Sequence, residues 1–377
     1  MPKTTPSGVP PDERIAPIDI LRGIALFGVM AVNVVTAFRV SMFQQFLPGF
    51  EPASFPDRVA GVFVSQVLEL KAFALFSLLF GIGLGIQFER LSRGGQPFYW
   101  LARRLAVLLV FGLIHLLFIW NGDILTEYAL AGLIVLPFLR VPKWLVGWLA
   151  FGVLYFYVVM PLMGLKIWWP DTGTFQRAVD EANRVYATGG FGDIWRLSLA
   201  ELPLWLPLHE YIFPRTVGLF LLGAFAWRSG MFKDLGRFKS QLAIGAVVGI
   251  GVGGALTTMH GAGGRIATVV LALGYASAVL ALTQLPRIGS ALMVFAPLGK
   301  MAFTNYIMQS LVFGAIFFGW GLGLFGKLGA AQALLIGVGV YVGQMIFSAW
   351  WLKRFRYGPL EWLWRTLMYG KRQPMRG

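Results

Sequence analysis

Runs of about twenty apolar residues recur along the chain, each long enough to cross a bilayer as a helix rising about 1.5 Å per residue. A segment inside lipid must satisfy its own backbone N–H and C=O groups, so such a chain is expected to fold as an all-α bundle. The most informative run is the first, residues 18–38, which carries Asp19, Arg22 and Asn33 among apolar neighbours. At 100° per residue, Asp19 and Arg22 stand about 60° apart, and Arg22 and Asn33 return to within about 20° of each other. The three form one polar stripe along roughly 20 Å of helix. Polar groups inside a span normally face a bundle interior or a wet cavity and mark a pathway or a site. For Asp19 and Arg22, near the start of the run, an ion pair at the membrane surface is an equally good reading. Asn33 lies deeper and points to a functional or bundle-lining role.

The composition agrees: 57% of the 377 residues are hydrophobic and 13% charged, which excludes an ordinary soluble domain. The absence of cysteine excludes disulfides, thiolate nucleophiles and cysteine-held metals, and no metal site is expected. The net charge of +15 would suggest nucleic acid in a soluble protein. Here the basic residues sit in short loops, where membrane topology and anionic headgroups explain them, so no nucleic-acid partner is expected.

In order, residues 1–17 read as a Pro-rich disordered tail. Residues 18–165 read as an N-terminal half of five spans, and 211–352 as a second half of five. Residues 166–210, polar and charge-balanced, are expected outside the cytoplasm as short amphipathic helices on the membrane. Residues 353–377 form a basic aromatic tail expected on the inner leaflet. With about ten spans and both termini cytoplasmic, every strongly basic loop falls on the cytoplasmic side.

Two glycine patterns, Gly249-x-Gly251-x-x-Gly254 and Gly321-x-Gly323-x-x-Gly326, match the dinucleotide fingerprint, but neither follows a strand in a βαβ unit. Close helix packing is the better reading. The hairpin at 101–139 carries more chemistry. Arg104 and His115 share a helix face at eleven-residue spacing, beside Arg103, and Asp123 and Glu127 share a face of the next helix. His115 near a carboxylate has the make-up of a general base. Asp123, directly after Asn121-Gly122, is equally suited to capping a helix. Asn305 with Gln309, and Gln344 with Ser348, are i, i+4 pairs that read as hydrogen-bonding glue between helices or as lining of the same cavity.

Several blocks resemble the YeiB-like family of bacterial membrane proteins, a domain of unknown function. They are Asp19-x-x-Arg22-Gly23-Ile24-Ala25-Leu26 through Asn33, Leu78-Leu79-Phe80-Gly81-Ile82-Gly83, and Trp120-Asn121-Gly122-Asp123-Ile124-Leu125. The C-terminal blocks are Gly299-Lys300-Met301-Ala302 with Thr304-Asn305-Tyr306, and Arg354-Phe355-Arg356-Tyr357-Gly358-Pro359-Leu360-Glu361-Trp362-Leu363-Trp364-Arg365. The resemblance implies a bacterial inner-membrane location and a distant relation to transmembrane acyltransferases of the heparan-glucosaminide acetyltransferase type. That type has a similar first span, with an Asn at the position of Asn33 and a catalytic His in the following loop. Residues 34–48 contain no His here, and Gln44 or Gln45 is the nearest polar substitute.

Two functions follow as expectations. In an acyltransferase, an acyl-CoA-type donor would enter from the cytoplasm, its phosphates met by Arg22, Arg103 and Arg104. Asp19, Asn305, Gln309 and Gln344 would line the substrate path. His115, oriented by Asp123 or Glu127, would deprotonate a small-molecule or glycan hydroxyl or amine outside, with Asn33 at the oxyanion. The alternative is a secondary transporter or lipid-handling protein with two five-span halves. The partners expected are membrane lipids, the acceptor and a second copy of the chain.

Overall fold

The computed structural model describes residues 15–48, 54–165, 167–259 and 261–376, and among them the regular structure is entirely helical. The expected disordered tail falls mostly on residues 1–14, outside the described residues. Seven helices are long and apolar enough to cross a membrane, or eight if the bent pair Pro286–Lys300 and Ala302–Phe317 is one span. The expected ten requires also counting the shorter apolar stretch Leu125–Leu139 and the C-terminal half of a long helix, Phe191–Arg228. Isoleucines and valines such as Ile244 and Val247 stand more than half exposed on the helix Lys239–Leu256. Such a face suits lipid.

Helix α1 (Ala16–Asn33) is the centre of the bundle: 72% of its apolar window is buried, against 17% for Leu235–Leu256 at the periphery. Proline in its first turn fixes the starting dihedral, and Asp19 there suits the positive end of the helix dipole. Beyond Asn33 the helix widens through Val34–Phe38, where the Arg39 N–H reaches back five residues to the Val34 carbonyl. A short helix α2 (Phe55–Val62) widens in the same way over Phe63–Leu68. It then breaks at Leu70, which holds φ +60°, before α3 (Lys71–Ser92).

Helices α4 (Pro97–Phe118) and α5 (Leu125–Val135) form a hairpin through Asn121 and Gly122. Next come α6 (Lys143–Val159), α7 (Thr172–Thr188) and α8 (Phe191–Arg228). The amphipathic α7 buries Phe175, Val179, Ala182 and Tyr186 at helical spacing. The expected boundary at 210/211 falls inside α8, which runs unbroken through Pro203, Pro207 and Pro214. At 100° per residue the three prolines lie within about 40° of one face, so the lost hydrogen bonds fall on one side and the helix continues.

The pair α3 and α8 cross closely: a Cβ on Gly81 would strike the Phe220 backbone, and one on Gly223 the Leu78 carbonyl. Helices α9 (Lys239–Leu256) and α10 (Ala262–Thr283) pack with Gly249 against Gly274. Of the first dinucleotide-like glycine pattern, Gly249 therefore serves helix contact, while a Cβ on Gly251 or Gly254 would meet nothing within 4 Å. Short helices α11 (Pro286–Leu292) and α12 (Ala296–Lys300) lead into α13 (Ala302–Phe317), with a 73° bend between them. The span expected at about 298–321 is thus a bent pair, whose longer helix begins at Ala302.

The helix α14 (Ala330–Leu352) precedes α15 (Pro359–Tyr369). Within the tail, α15 packs against α4 and α13. Glu361 explains this. Its Oε1 accepts the backbone N–H groups of Phe303 (2.9 Å) and Thr304 (3.0 Å), so a carboxylate from the tail caps α13. Trp364 then donates its indole N–H to the Arg104 carbonyl at 3.0 Å.

Candidate functional site

Two cavities lie against opposite ends of α1. The first, about 310 Å³, meets α1 along its N-terminal half, at Ile18, Asp19, Arg22, Leu26 and Val29. Arg104 from α4, Lys300 from α12, Tyr306 from α13 and Glu361, Trp364 and Arg365 from α15 complete its polar wall. Four cations thus face two carboxylates. Asp19 is paired with Arg22 at 3.2 Å, and Glu361 is engaged with the start of α13. The Arg104 guanidinium stacks on the Trp364 ring at 3.7 Å, and its buried Nε finds no hydrogen-bond partner among the described residues. The Tyr306 hydroxyl is likewise buried and unpaired. We call this the arginine cavity.

The second cavity, about 270 Å³, meets the C-terminal end of α1 at Val32, Asn33, Thr36 and Ala37. Gln45, Glu69, Asp123, Trp205, His209 and Arg215 contribute its other polar groups. We call it the histidine cavity. Phe73 and Ile124 line both cavities, so the two are separated by a wall of these side chains.

Two histidine–carboxylate pairs stand near this wall, and they differ in access. His115 Nδ1 meets Asp123 Oδ1 at 2.8 Å and its Nε2 meets Ser310 Oγ at 2.9 Å. A carboxylate only accepts, so Nδ1 carries the proton and Nε2 accepts from the serine hydroxyl. Both nitrogens are used, His115 is fully buried, and neither His115 nor Ser310 lines either cavity. The order Asp–His–Ser is that of a nucleophile triad, but its serine is sealed from both chambers. His209 Nδ1 meets Glu127 Oε2 at 2.8 Å, and the other Glu127 oxygen accepts from Thr216 at 2.6 Å. By the same reasoning His209 Nδ1 carries a proton toward Glu127, while its Nε2 has no hydrogen-bond partner among the described residues and belongs to a ring on the wall of the histidine cavity.

The comparisons with known proteins bear on this arrangement. Residues 226–371 match a family described as a protein of unknown function (DUF418). The uncharacterized protein YxaH of Bacillus subtilis (strain 168) is 34% identical over 394 aligned residues, covering 97% of this chain and 96% of the relative. The uncharacterized protein YeiB of Escherichia coli (strain K12) is 31% identical over 386, covering 94% and 96%. The chain belongs to the YeiB-like family. An uncharacterized 39.9 kDa protein in the amylase 3' region of Bacillus acidopullulyticus is also similar, at 29% identity over 377 residues, covering 97% and 96%.

The YeiB-like blocks converge on the two cavities. Asp19 and Arg22 line one and Asn33 the other; Asp123 and Ile124 of the hairpin block, Lys300, and Tyr357, Glu361, Trp364 and Arg365 fall on their walls. Among the residues singled out from sequence, Asp19, Arg22 and Arg104 meet in the arginine cavity, and Asn33 and Asp123 in the histidine cavity. Asp123 also accepts the N–H groups of Leu125 (3.1 Å) and Thr126 (2.7 Å), so it caps α5 as well as holding His115. Glu127 sits behind His209.

Five others of the residues singled out from sequence stand away from both cavities. His115 is enclosed and has no free nitrogen for an acceptor. Arg103 points out of the arginine cavity and bonds Tyr99 Oη (3.3 Å) and the Leu367 carbonyl (3.0 Å). Asn305 donates to Ser348 at 2.9 Å. Gln309 donates to Gln344, which donates to the Asn305 carbonyl, both at 2.9 Å. These three amides line neither cavity and tie α13 to α14.

His209 was missed because 166–210 read as a polar loop, and Arg215 because it stands inside the apolar run that begins at residue 211. The signal for Arg215 was present, since an arginine five residues into an apolar run is costly without a task. Among the described residues, no three His, Cys, Asp or Glu side chains gather as a metal site.

Proposed function

We propose that the chain is an acyltransferase of the bacterial inner membrane, with both termini cytoplasmic. An acyl-CoA-type donor occupies the arginine cavity from inside, and a hydroxyl or amine acceptor occupies the histidine cavity from outside. What carries the reading is a cation-rich chamber and an imidazole-bearing chamber, separated by Phe73 and Ile124. Arg22, Arg104, Lys300 and Arg365 suit the donor phosphates. The imidazole that residues 34–48 lack is supplied from α8, beside Gln45 of that same loop.

In this reading the acyl group passes between Phe73 and Ile124. His209 Nε2 takes the acceptor proton, with Glu127 holding the ring and stabilising the imidazolium. The acceptor oxygen or nitrogen bonds to the carbonyl carbon, the C–S bond breaks, and the proton passes from His209 to the departing thiolate. Asn33 donates to the oxyanion.

The test uses the full chain in nanodiscs with acetyl-CoA, a panel of hydroxyl and amine acceptors, and a free-thiol readout. His209→Gln is expected to lower turnover by about 10²- to 10⁴-fold while calorimetric acetyl-CoA binding persists. Undiminished turnover in this variant, or no acetyl-CoA binding to the unaltered chain at millimolar ligand, ends the reading. A second reading, secondary transport, draws on the same wall: two chambers at opposite ends with a closed barrier suit alternating access, and the 73° bend supplies a broken helix. Proton-coupled uptake without thiol release would favour it.

A further inference from the structure

The histidine cavity contains a feature that general-base chemistry does not use. Arg215 is completely buried on the cavity wall, and only its Nη1 is bonded, at 3.3 Å to the Leu70 carbonyl. Its Nε and Nη2 have no hydrogen-bond partner among the described residues. The Nε1 of Trp205, on the same wall, is also buried and unpaired. Guanidinium and indole nitrogens are donors only. A buried unpaired donor is costly, and a buried unpaired cation more so. Three orphan nitrogens, one pair of them cationic, therefore belong to side chains that line one chamber of about 270 Å³, and they call for acceptor atoms with negative charge.

The local backbone supports a built site. Leu70 is the one residue other than glycine with positive φ among the described residues, at +60°, and its carbonyl is the group that holds Arg215. Backbone strain of this kind costs energy and collects at functional sites. Nearby carboxylates do not meet the demand. Asp123 is already bonded to His115 and two backbone N–H groups, and Glu127 to His209 and Thr216. Glu69 lines the same chamber but makes no ion pair with Arg215.

We propose that Arg215 and Trp205 form an oxyanion subsite, so that the ligand of the histidine cavity carries a phosphate or carboxylate beside its hydroxyl or amine. This deepens the acyltransferase reading and rests on it for the acceptor role, though binding of the anion stands alone. The same chemistry is offered by an anionic lipid headgroup and by a water-soluble phosphate, and the experiment separates them.

The full chain is placed in phosphatidylcholine nanodiscs without donor. Inorganic phosphate, glycerol phosphate and glycerol are titrated calorimetrically. In parallel, the melting temperature is followed as phosphatidylglycerol replaces part of the phosphatidylcholine. Saturable binding of a phosphate-bearing probe, with none of glycerol, is expected, or else a phosphatidylglycerol-dependent rise in melting temperature. The first identifies a soluble ligand and the second a headgroup. Arg215→Gln should weaken either effect about tenfold or more, since charged hydrogen bonds are lost. Arg215→Lys should weaken it less, and Trp205→Phe, which removes only one donor, least.

No response to either source, or a response unchanged in Arg215→Gln, overturns the proposal. Should Arg215→Gln fail to fold, unchanged binding in both Arg215→Lys and Trp205→Phe overturns it instead. Phosphate binding that survives while His209→Gln shows no loss of turnover sinks the transfer reading alone. Acylation of a neutral acceptor with no anion response sinks this proposal alone.

Discussion

The arginine cavity and the histidine cavity are similar in size and touch the same helix, yet they gather their charge in opposite ways. The first gathers its cations from four separate elements, α1, α4, α12 and α15, and neutralises only part of them with carboxylates engaged elsewhere. The second holds one buried arginine, one accessible imidazole and a belt of Trp120, Trp169 and Trp205. A spread of positive charge attracts a polyanion without fixing a single pose. A lone guanidinium with two unpaired nitrogens and a neighbouring base fixes orientation. On the acyltransferase reading the difference separates a donor-binding chamber from a reacting one, with Phe73 and Ile124 between them.

The largest effect on donor binding should come from removing a cavity charge that has an unpaired nitrogen. Arg104→Gln is expected to lower acetyl-CoA affinity about tenfold or more, because its Nε is unpaired in the chamber and charged hydrogen bonds are among the stronger ones. Arg103→Gln, one residue away and bonded outside the cavity, should change affinity by less than about twofold. Equal losses in the two variants, measured by calorimetry, would mean that general surface charge rather than the chamber recognises the donor.

A smaller effect should come from the sealed histidine. His115→Leu leaves the Ser310 hydroxyl without its acceptor and Asp123 without one of its donors, at a cost of about 1–3 kcal/mol. The expected signature is a lower melting temperature in detergent with turnover per folded molecule retained. If the fold is unaffected and turnover collapses, His115 performs the chemistry and the roles of the two histidine–carboxylate pairs exchange.

The stripe on α1 was legible in the sequence because helical periodicity alone sets it. Asp19, Arg22 and Asn33 do lie along the cavity side of the central helix. What periodicity could not convey is that one stripe serves two chambers, since Phe73 and Ile124 come from other helices. Arg104 was recoverable from its face, whereas Arg103 differs from it by only one step of 100° and points elsewhere. His209 was hidden by the three prolines of α8, whose effect depends on their shared face rather than on their number. The amides of α13 and α14 were found as a group, but whether such a group lines a cavity or ties helices depends on the partner helix. In the tail, Glu361, the lone acid of residues 353–377 and two positions after Pro359, was the sign of a docked helix start.

That lone acid gives the smallest predicted effect and the most discriminating one. Glu361 both caps α13 and faces the arginine cavity. Glu361→Gln weakens the cap, at a cost of about 1 kcal/mol, and should lower the melting temperature slightly. It also removes a negative charge from a chamber that holds four cations, which should raise acetyl-CoA affinity a few-fold at low salt, with the gain shrinking as salt rises. The two readouts move in opposite directions only if α15 stays docked. Loss of both stability and donor affinity would instead mean that α15 has left α4, carrying Trp364 away from Arg104. In that case the chamber's cation geometry depends on the cap, and the arginine cavity is only as well formed as the contact between the tail and α13.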